Sequence, residues 1–133
     1  MSTDRFSGKS ILITGGAGGL GSQIARTAVA QGASVGILDT NDDEIKSLVS
    51  ELKASGGNAA GQKVDVRDSK SVTAAVNELA KALGSVDVLI AAAGGSLGTP
   101  RDLDDISDDD FDLVLDVNVK GTFNCARAAI PHM

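Results

Sequence analysis

The chain has 133 residues, a formal net charge of −6 at pH 7 and a hydrophobic share of 42%, which predicts one domain, residues 1–133, with a buried core. The acidic balance argues against a nucleic-acid partner, because binding to a phosphate backbone needs a basic surface. The first nine residues are polar, and no apolar run reaches the length of a signal peptide or a bilayer span. We therefore expect a cytoplasmic protein without a membrane partner.

One cysteine, Cys125, and one histidine, His132, limit the metal chemistry of the sequence. No internal disulfide can form, and a soft metal ion would have too few ligands. Cys125 lies on an apolar face of a predicted helix, which favours a packed small side chain. The seven aspartates between Asp102 and Asp112 leave a divalent-metal loop as an alternative, but they lack the spacing of an EF-hand. We predict no metal site, and instead a helix capped at Ser107.

A glycine-rich turn follows the first apolar strand, which runs from Ser10 and ends at Thr14. Two spacings coincide in this turn: the general dinucleotide pattern Gly-x-Gly-x-x-Gly from Gly16 to Gly21, and the narrower Thr-Gly-x-x-x-Gly-x-Gly from Thr14 to Gly21. Glycines allow positive φ angles and the close approach of a pyrophosphate, which then meets the N–H groups at the start of a helix. A Walker A loop is excluded, because no lysine follows the last glycine. A flexible loop or a plain tight turn is the structural alternative.

Strands and helices alternate along the rest of the chain. The predicted elements are a helix from near Gly19 to Gly32, a strand over residues 34–38, a helix capped by Asn41 and ended by Gly56, a strand over 61–66, a helix capped by Asp68 or Ser69, a strand over 86–91, and the helix capped by Ser107. Strands separated by helices pair in parallel with right-handed crossovers. The sequence thus predicts an α/β fold, a Rossmann-type doubly wound parallel sheet in the order 3-2-1-4, with a ligand across the carboxyl ends of its strands.

An aspartate, Asp39, ends the second strand eighteen residues beyond Gly21. A dinucleotide fold needs an acidic group at this point to accept hydrogen bonds from the adenosine ribose hydroxyls. The same carboxylate would repel a 2′-phosphate, and neither Thr40, Asn41 nor Asp42 supplies a positive charge to bind one. The pattern therefore favours NAD over NADP. The alternative is that Asp39 only caps the end of its strand.

Taken together, these motifs resemble the N-terminal, cofactor-binding half of the short-chain dehydrogenase/reductase family. The glycine turn matches the cofactor motif of that family, Asp39 its NAD-selecting acid, and Asp65 with Val66, at the end of the predicted third strand, the pair that meets the adenine ring. Asn118 matches the asparagine that holds a water in the proton relay of the family. The resemblance implies the following site residues: cofactor-binding Gly15, Ala17, Gly18, Gly19, Leu20, Gly21, Asp39, Thr40, Asp65, Val66, Ala92, Ala93 and Gly94, and catalytic Asn118.

Two departures from the family pattern are visible. The usual Asn-Asn-Ala-Gly after the fourth strand is here Ala91-Ala92-Ala93-Gly94, so the side-chain amides that brace the neighbouring backbone are lost. The serine and the Tyr-x-x-x-Lys pair of the family lie beyond the asparagine, and this sequence contains no tyrosine. In the family that tyrosine exchanges the hydroxyl proton, so we expect the domain to be incomplete relative to the family. Asp116 and Lys120 predict an i, i+4 ion pair on the last helix rather than a substitute for the missing pair.

The resemblance implies an oxidoreductase that transfers hydride between NAD and a secondary alcohol or ketone, of which this chain supplies the NAD-binding part. The alternatives are a non-catalytic nucleotide-binding module or an inactive fragment, and an S-adenosylmethionine methyltransferase, which would want a different glycine turn. The last helix presents an apolar face that in this family pairs with another subunit, and the uncovered edge of the fourth strand also favours self-association into a homo-oligomer. That face comprises Phe111, Val114, Leu115, Asn118, Thr122, Phe123 and Ala126.

Overall fold

A computed structural model describes residues 4–133, so the first three positions of the expected domain lie outside the described residues. Strands and helices alternate as β1 (Ser10–Thr14), α1 (Gly19–Ala30), β2 (Ser34–Asp39), α2 (Asp42–Ala54), β3 (Asn58–Lys63), α3 (Ser69–Leu83), β4 (Val88–Ala91), α4 (Asp108–Leu115) and α5 (Gly121–Ala129). A π-helical turn, Asp116–Lys120, joins α4 to α5, and short 3₁₀ turns cover Leu103–Asp105 and Ile130–His132. None of the described helices is long and apolar enough to span a bilayer.

The four strands form one parallel sheet in the order β3-β2-β1-β4, which confirms the predicted topology. Leu12 at the centre of β1 is in register with Gly36 of β2 on one side and Leu89 of β4 on the other. The carboxyl ends of β2, β1 and β4 therefore lie side by side at one edge of the sheet.

Helices cover both faces of the sheet, and alternate residues of β1 point to the two layers. Ile11 and Ile13 pack with buried residues of α1 and α2, whereas Leu12 packs with buried residues of α3 and α5. Every residue of β1 is buried, as expected for a parallel strand that is covered on both faces. Cys125 belongs to the second cluster, which confirms that it is a packed small side chain.

Three helices begin at the predicted side-chain caps. The Asn41 side chain accepts a hydrogen bond from the Glu44 N–H, and Asp68, rather than Ser69, caps α3. Ser107 and Asp110 form a reciprocal capping box at the start of α4. The acidic segment thus contains the predicted helix start.

The predicted bounds of two strands are wrong. The third strand covers Asn58–Lys63 rather than residues 61–66, and each of its residues pairs with one residue of β2. The apolar residues Val64 and Val66 suggested a strand, but they lie in the loop that follows β3, and their side chains are buried there. Similarly, the fourth strand starts at Val88, because Val86 is buried in the connection before it. In both cases the buried apolar residues of a loop have the sequence pattern of a strand.

The last predicted helix is interrupted by the π-helical turn, which shifts the phase of the side chains that follow it. Among residues 4–133 the ion pairs do not include Asp116 with Lys120, so this predicted pair is wrong. An i, i+4 pair presumes the α-helical spacing, which a π-helical turn does not keep.

Candidate nucleotide-binding site

A cavity of about 520 Å³ opens at the carboxyl ends of β1, β2 and β4. Most of the sequence-predicted cofactor residues line it, namely Gly15, Gly18, Gly19, Leu20, Gly21, Asp39, Thr40, Asp65, Val66, Ala92, Ala93 and Gly94. Ala17 and Asn118 are predicted site residues that do not line the cavity. The structure therefore brings the glycine turn, the end of β2 and the end of β4 together around one space.

The glycine turn is shaped by close backbone contacts. Gly15 has φ +62°, and a Cβ atom on it would lie 2.9 Å from the backbone of Ala93. A Cβ atom on Gly21 would collide with the carbonyl of Gly15, because α1 starts directly against the turn. Gly18 is the N-cap of α1, and it contributes no side-chain hydrogen bond to the helix end. The amino end of α1 therefore faces the cavity without the side-chain cap that α2, α3 and α4 have.

The carboxylate of Asp39 links the end of β2 to the glycine turn. Its Oδ2 accepts a hydrogen bond from the Ala17 N–H at 3.1 Å. Its Oδ1 accepts from the N–H groups of Thr40 at 2.7 Å and Asn41 at 3.3 Å. The local capping that was an alternative interpretation of Asp39 is thus present, and the residue lines the cavity as well. Ala17 contributes to the site indirectly, because its backbone N–H donates the hydrogen bond that holds the Asp39 carboxylate.

An arginine that the sequence reasoning missed, Arg67, lies in the cavity wall beside Asp65. Its Nη2 donates to the Asp65 Oδ2 at 2.6 Å, and its Nε donates to Oδ1 at 3.0 Å. This pairing lowers the pKa of Asp65, and the carboxylate of Asp65 in turn raises the pKa of Arg67. Asp116 also raises the Arg67 pKa by charge attraction. The sequence signal was an arginine two residues after an aspartate, which becomes informative only once the loop geometry is known.

Asn118 braces the loop that follows β4. Its Oδ1 accepts a hydrogen bond from the Gly95 N–H at 2.9 Å, and its Nδ2 donates to the Gly95 carbonyl at 3.0 Å and the Val114 carbonyl at 2.9 Å. A Cβ atom on Gly94 would collide with the Asn118 amide, so the loop can approach only as glycine. Thr14 adds a further brace, since its Oγ1 accepts from the Ala93 N–H at 3.2 Å.

These braces matter because alanines, Ala91 at the end of β4 and Ala92 after it, stand where the family that the sequence resembles has asparagines. The sequence predicted a brace lost at Ala91 and Ala92, but it did not show that Asn118 and Thr14 hold the same loop. In the structure the Asn118 side-chain amide is hydrogen-bonded to the backbone of Gly95 and Val114, and its role in holding a water stays a prediction.

Metal binding finds no support in the described geometry. Within residues 4–133 no three or more His, Cys, Asp or Glu side chains are grouped to hold a metal ion. Burial raises the pKa of the Cys125 thiol to about 11, so this thiol is protonated at neutral pH. The described residues that line the cavity include the carboxylates of Asp39 and Asp65 and the guanidinium of Arg67.

Comparison with known proteins agrees with this geometry. The family model of the short chain dehydrogenases matches residues 9–133. The chain belongs to this family. A 2-dehydro-3-deoxy-L-rhamnonate dehydrogenase (NAD(+)) from Sphingomonas sp. (strain SKA58) is 37% identical over 129 residues, which are 97% of this chain and 50% of that protein. The 2,3-dihydro-2,3-dihydroxybenzoate dehydrogenase of Bacillus subtilis (strain 168) is 33% identical over 133 residues, again 50% of its length.

Solved structures of short-chain dehydrogenases share the fold. A dehydrogenase/reductase from Sinorhizobium meliloti 1021 superposes with a TM-score of 0.92 at 32% identity, over 100% of this chain and 53% of that one. An NAD⁺-bound xylitol dehydrogenase superposes with a TM-score of 0.89 at 30% identity, over 97% of this chain and 49% of that one. This short-chain dehydrogenase chain therefore spans about half the length of the relatives it matches. The names of two of them, the rhamnonate dehydrogenase and the xylitol dehydrogenase, include NAD⁺, which indicates a nicotinamide dinucleotide as the class of cofactor.

Proposed function

We propose that the cavity binds NAD in preference to NADP, and that this chain is the NAD-binding part of an oxidoreductase that transfers hydride between NAD(H) and a secondary alcohol or ketone. The observation that carries the proposal is the Asp39 carboxylate, which lines the cavity at the end of β2 and is held there by the Ala17 N–H. A carboxylate at this point accepts hydrogen bonds from ribose hydroxyls and repels a 2′-phosphate.

The order of the strands gives the dinucleotide its direction. Asp39 and Thr40 at the end of β2 would hold the adenosine ribose, and the glycine turn after β1 would hold the pyrophosphate at the amino end of α1. The other half would then lie over Ala92, Ala93 and Gly94 at the end of β4. Bound NAD would supply the hydride acceptor at its nicotinamide ring, and the residues of this chain would bind and orient it.

Of the described residues that line the cavity, Arg67 is the one that could favour NADP, because a guanidinium binds phosphate well. However, the N–H groups at its Nε and Nη2 both donate hydrogen bonds to the Asp65 carboxylate, and Asp116 adds a second negative charge near Arg67. Moving Arg67 to a 2′-phosphate would leave Asp65 without its partner. This arrangement supports the proposed preference for NAD.

Calorimetric titration with NAD and NADP tests the proposal. We expect the wild-type chain to bind NAD at least about tenfold more tightly, or about 1.4 kcal/mol. The Asp39→Asn variant keeps the shape of the side chain and removes its charge, so it should reduce the difference between the affinities for NAD and NADP. Asp43→Asn is the matched control, because it removes an equal charge from an exposed side chain of α2 that does not line the cavity. Equal or tighter binding of NADP by the wild-type chain would refute the role of Asp39.

The alternative function, a nucleotide-binding module without chemistry, also predicts NAD binding. The two are separated by turnover, which we expect to be absent from the 133-residue chain alone, since the family's relay uses a tyrosine and this sequence has none. An inactive fragment that binds no nucleotide would show no binding of either cofactor in the calorimetric titration.

A further inference from the structure

The loop that follows β4 holds a leucine in an unusual backbone conformation. Among residues 4–133, Leu97 is the only residue other than glycine with a positive φ, at 55°. An L-residue in this region brings its Cβ atom close to its own carbonyl oxygen, and glycine avoids this contact. The neighbouring positive-φ positions, Gly94, Gly95 and Gly98, are all glycine. The turn by itself therefore does not account for a leucine at position 97.

The loop is held in this conformation from outside. Both the N–H and the carbonyl of Gly95 are hydrogen-bonded to the side chain of Asn118. The same side chain donates to the Val114 carbonyl, which ties the loop to the end of α4. Leu97 lies two residues after this anchor, so the hydrogen bonds at Gly95 help to hold the loop conformation that gives Leu97 its positive φ.

The side chain of Leu97 lines the proposed dinucleotide cavity and is 41% exposed. In the order β3-β2-β1-β4, β4 lies on the opposite side of β1 from β2 and Asp39. The adenosine ribose is proposed to lie at Asp39, so Leu97 lies toward the other end of the cofactor. Its side chain therefore presents apolar surface to this end of the cavity.

We propose that Leu97 is a positioning residue for the nicotinamide half of the cofactor: it covers the nicotinamide end of the cavity with apolar surface, and so excludes water from one side of the ring. This inference rests on the proposed function. It assigns much of the affinity for the nicotinamide half to the Leu97 side chain, because contact between an apolar side chain and an aromatic ring removes apolar surface from water, which favours binding. The strained backbone is kept because glycine would leave this end of the cavity open.

The test compares NAD with ADP-ribose, which lacks the nicotinamide ring and keeps the rest of the dinucleotide. Calorimetric titration of both ligands is carried out on the wild-type chain and on Leu97→Gly and Leu97→Asn. Glycine relieves the backbone strain, and asparagine tolerates the left-handed conformation while removing the apolar surface. We expect both variants to bind NAD about tenfold more weakly and to bind ADP-ribose within about twofold of the wild-type chain.

Two further measurements keep the outcome unambiguous. The melting temperature of Leu97→Gly should equal or exceed that of the wild-type chain, which shows that any loss of affinity is not a loss of fold. Leu103→Gly, a change at a leucine that is 85% exposed and does not line the cavity, should leave both affinities unchanged.

An equal loss of NAD and ADP-ribose binding in the Leu97 variants would overturn the inference, as would NAD binding as tight as in the wild-type chain. If the wild-type chain binds ADP-ribose and NAD, and the Leu97 variants bind both ligands as tightly, only this inference is refuted. A wild-type chain that binds neither ligand refutes the proposed function, and with it this inference.

Discussion

β1 and β4 are parallel neighbours in one sheet, yet they differ in burial. All five residues of β1 are buried, whereas each of the four residues of β4 is at least partly exposed, with Val88 at 37%. β1 has a strand on both sides and helices on both faces, but no strand of residues 4–133 pairs with the outer edge of β4. The well-buried part of this fold, with its glycine turn, is therefore built on β1 and β2, whereas the β4 side is only partly covered.

The same contrast appears around the last helices. Asn124, Cys125, Ala128 and Ala129 on α5 are buried against α3 and the sheet. In contrast, the exposed apolar face of α4, the π-helical turn and α5 carries Phe111, Leu115, Val119 and Phe123, which are between 42% and 63% exposed. An apolar surface of this kind is typical of an interaction site. The buried side and the exposed apolar face are therefore expected to respond differently to substitution.

The largest expected effect separates β1 from β4. Leu12→Ala removes a side chain with no exposure from the centre of the sheet, and we expect it to lower the free energy of unfolding by about 2–5 kcal/mol. Val88→Ala, on the partly exposed strand, should cost less than about 1 kcal/mol. Urea denaturation of the two variants gives both values. Similar losses for the two would show that β4 is buried in solution and would break the comparison.

A smaller effect is expected from the exposed apolar face. We propose that the chain self-associates through this face or through the outer edge of β4. Association through the face predicts that the double variant Leu115→Lys, Val119→Lys weakens it at least about tenfold, or about 1.4 kcal/mol, whereas association through the edge of β4 predicts little change. Sedimentation velocity over a concentration series measures it. Leu103→Lys is the control, because it places the same charge on an exposed leucine outside the face. A wild-type chain that sediments as a compact monomer at all concentrations would contradict this proposal.

Features set by local rules could be predicted from the sequence. The glycine turn and the caps Asn41, Asp68 and Ser107 depend on residues within a few positions of each other, and the structure has each where it was predicted. The acid at the end of β2 was predicted from its fixed spacing to the glycine turn, and it lies there as well. The alternation of strands and helices was sufficient for the sheet order, because parallel connections allow few topologies.

Features set by packing between distant segments could not be predicted. The bounds of β3 depend on its pairing with β2, and the small residues Ala59, Ala60 and Gly61 give no strong strand pattern of their own. Arg67 and Leu97 enter the cavity wall only because loops after different strands meet at one edge of the sheet. The brace by Asn118 joins positions 23 residues apart, which no local pattern reports.

The central claim is that one dinucleotide lies across the carboxyl ends of β2, β1 and β4. Titration of the isotope-labelled chain with NAD, followed by the backbone amide NMR shifts, tests it most directly. We predict that the shifts concentrate at Gly15, Gly18, Leu20, Thr40 and Ala93, all of which line the cavity. Residues around the separate cavity of about 440 Å³ near Ser85 and His132 should not respond. Shifts centred on that second cavity, or confined to one strand end, would contradict the account.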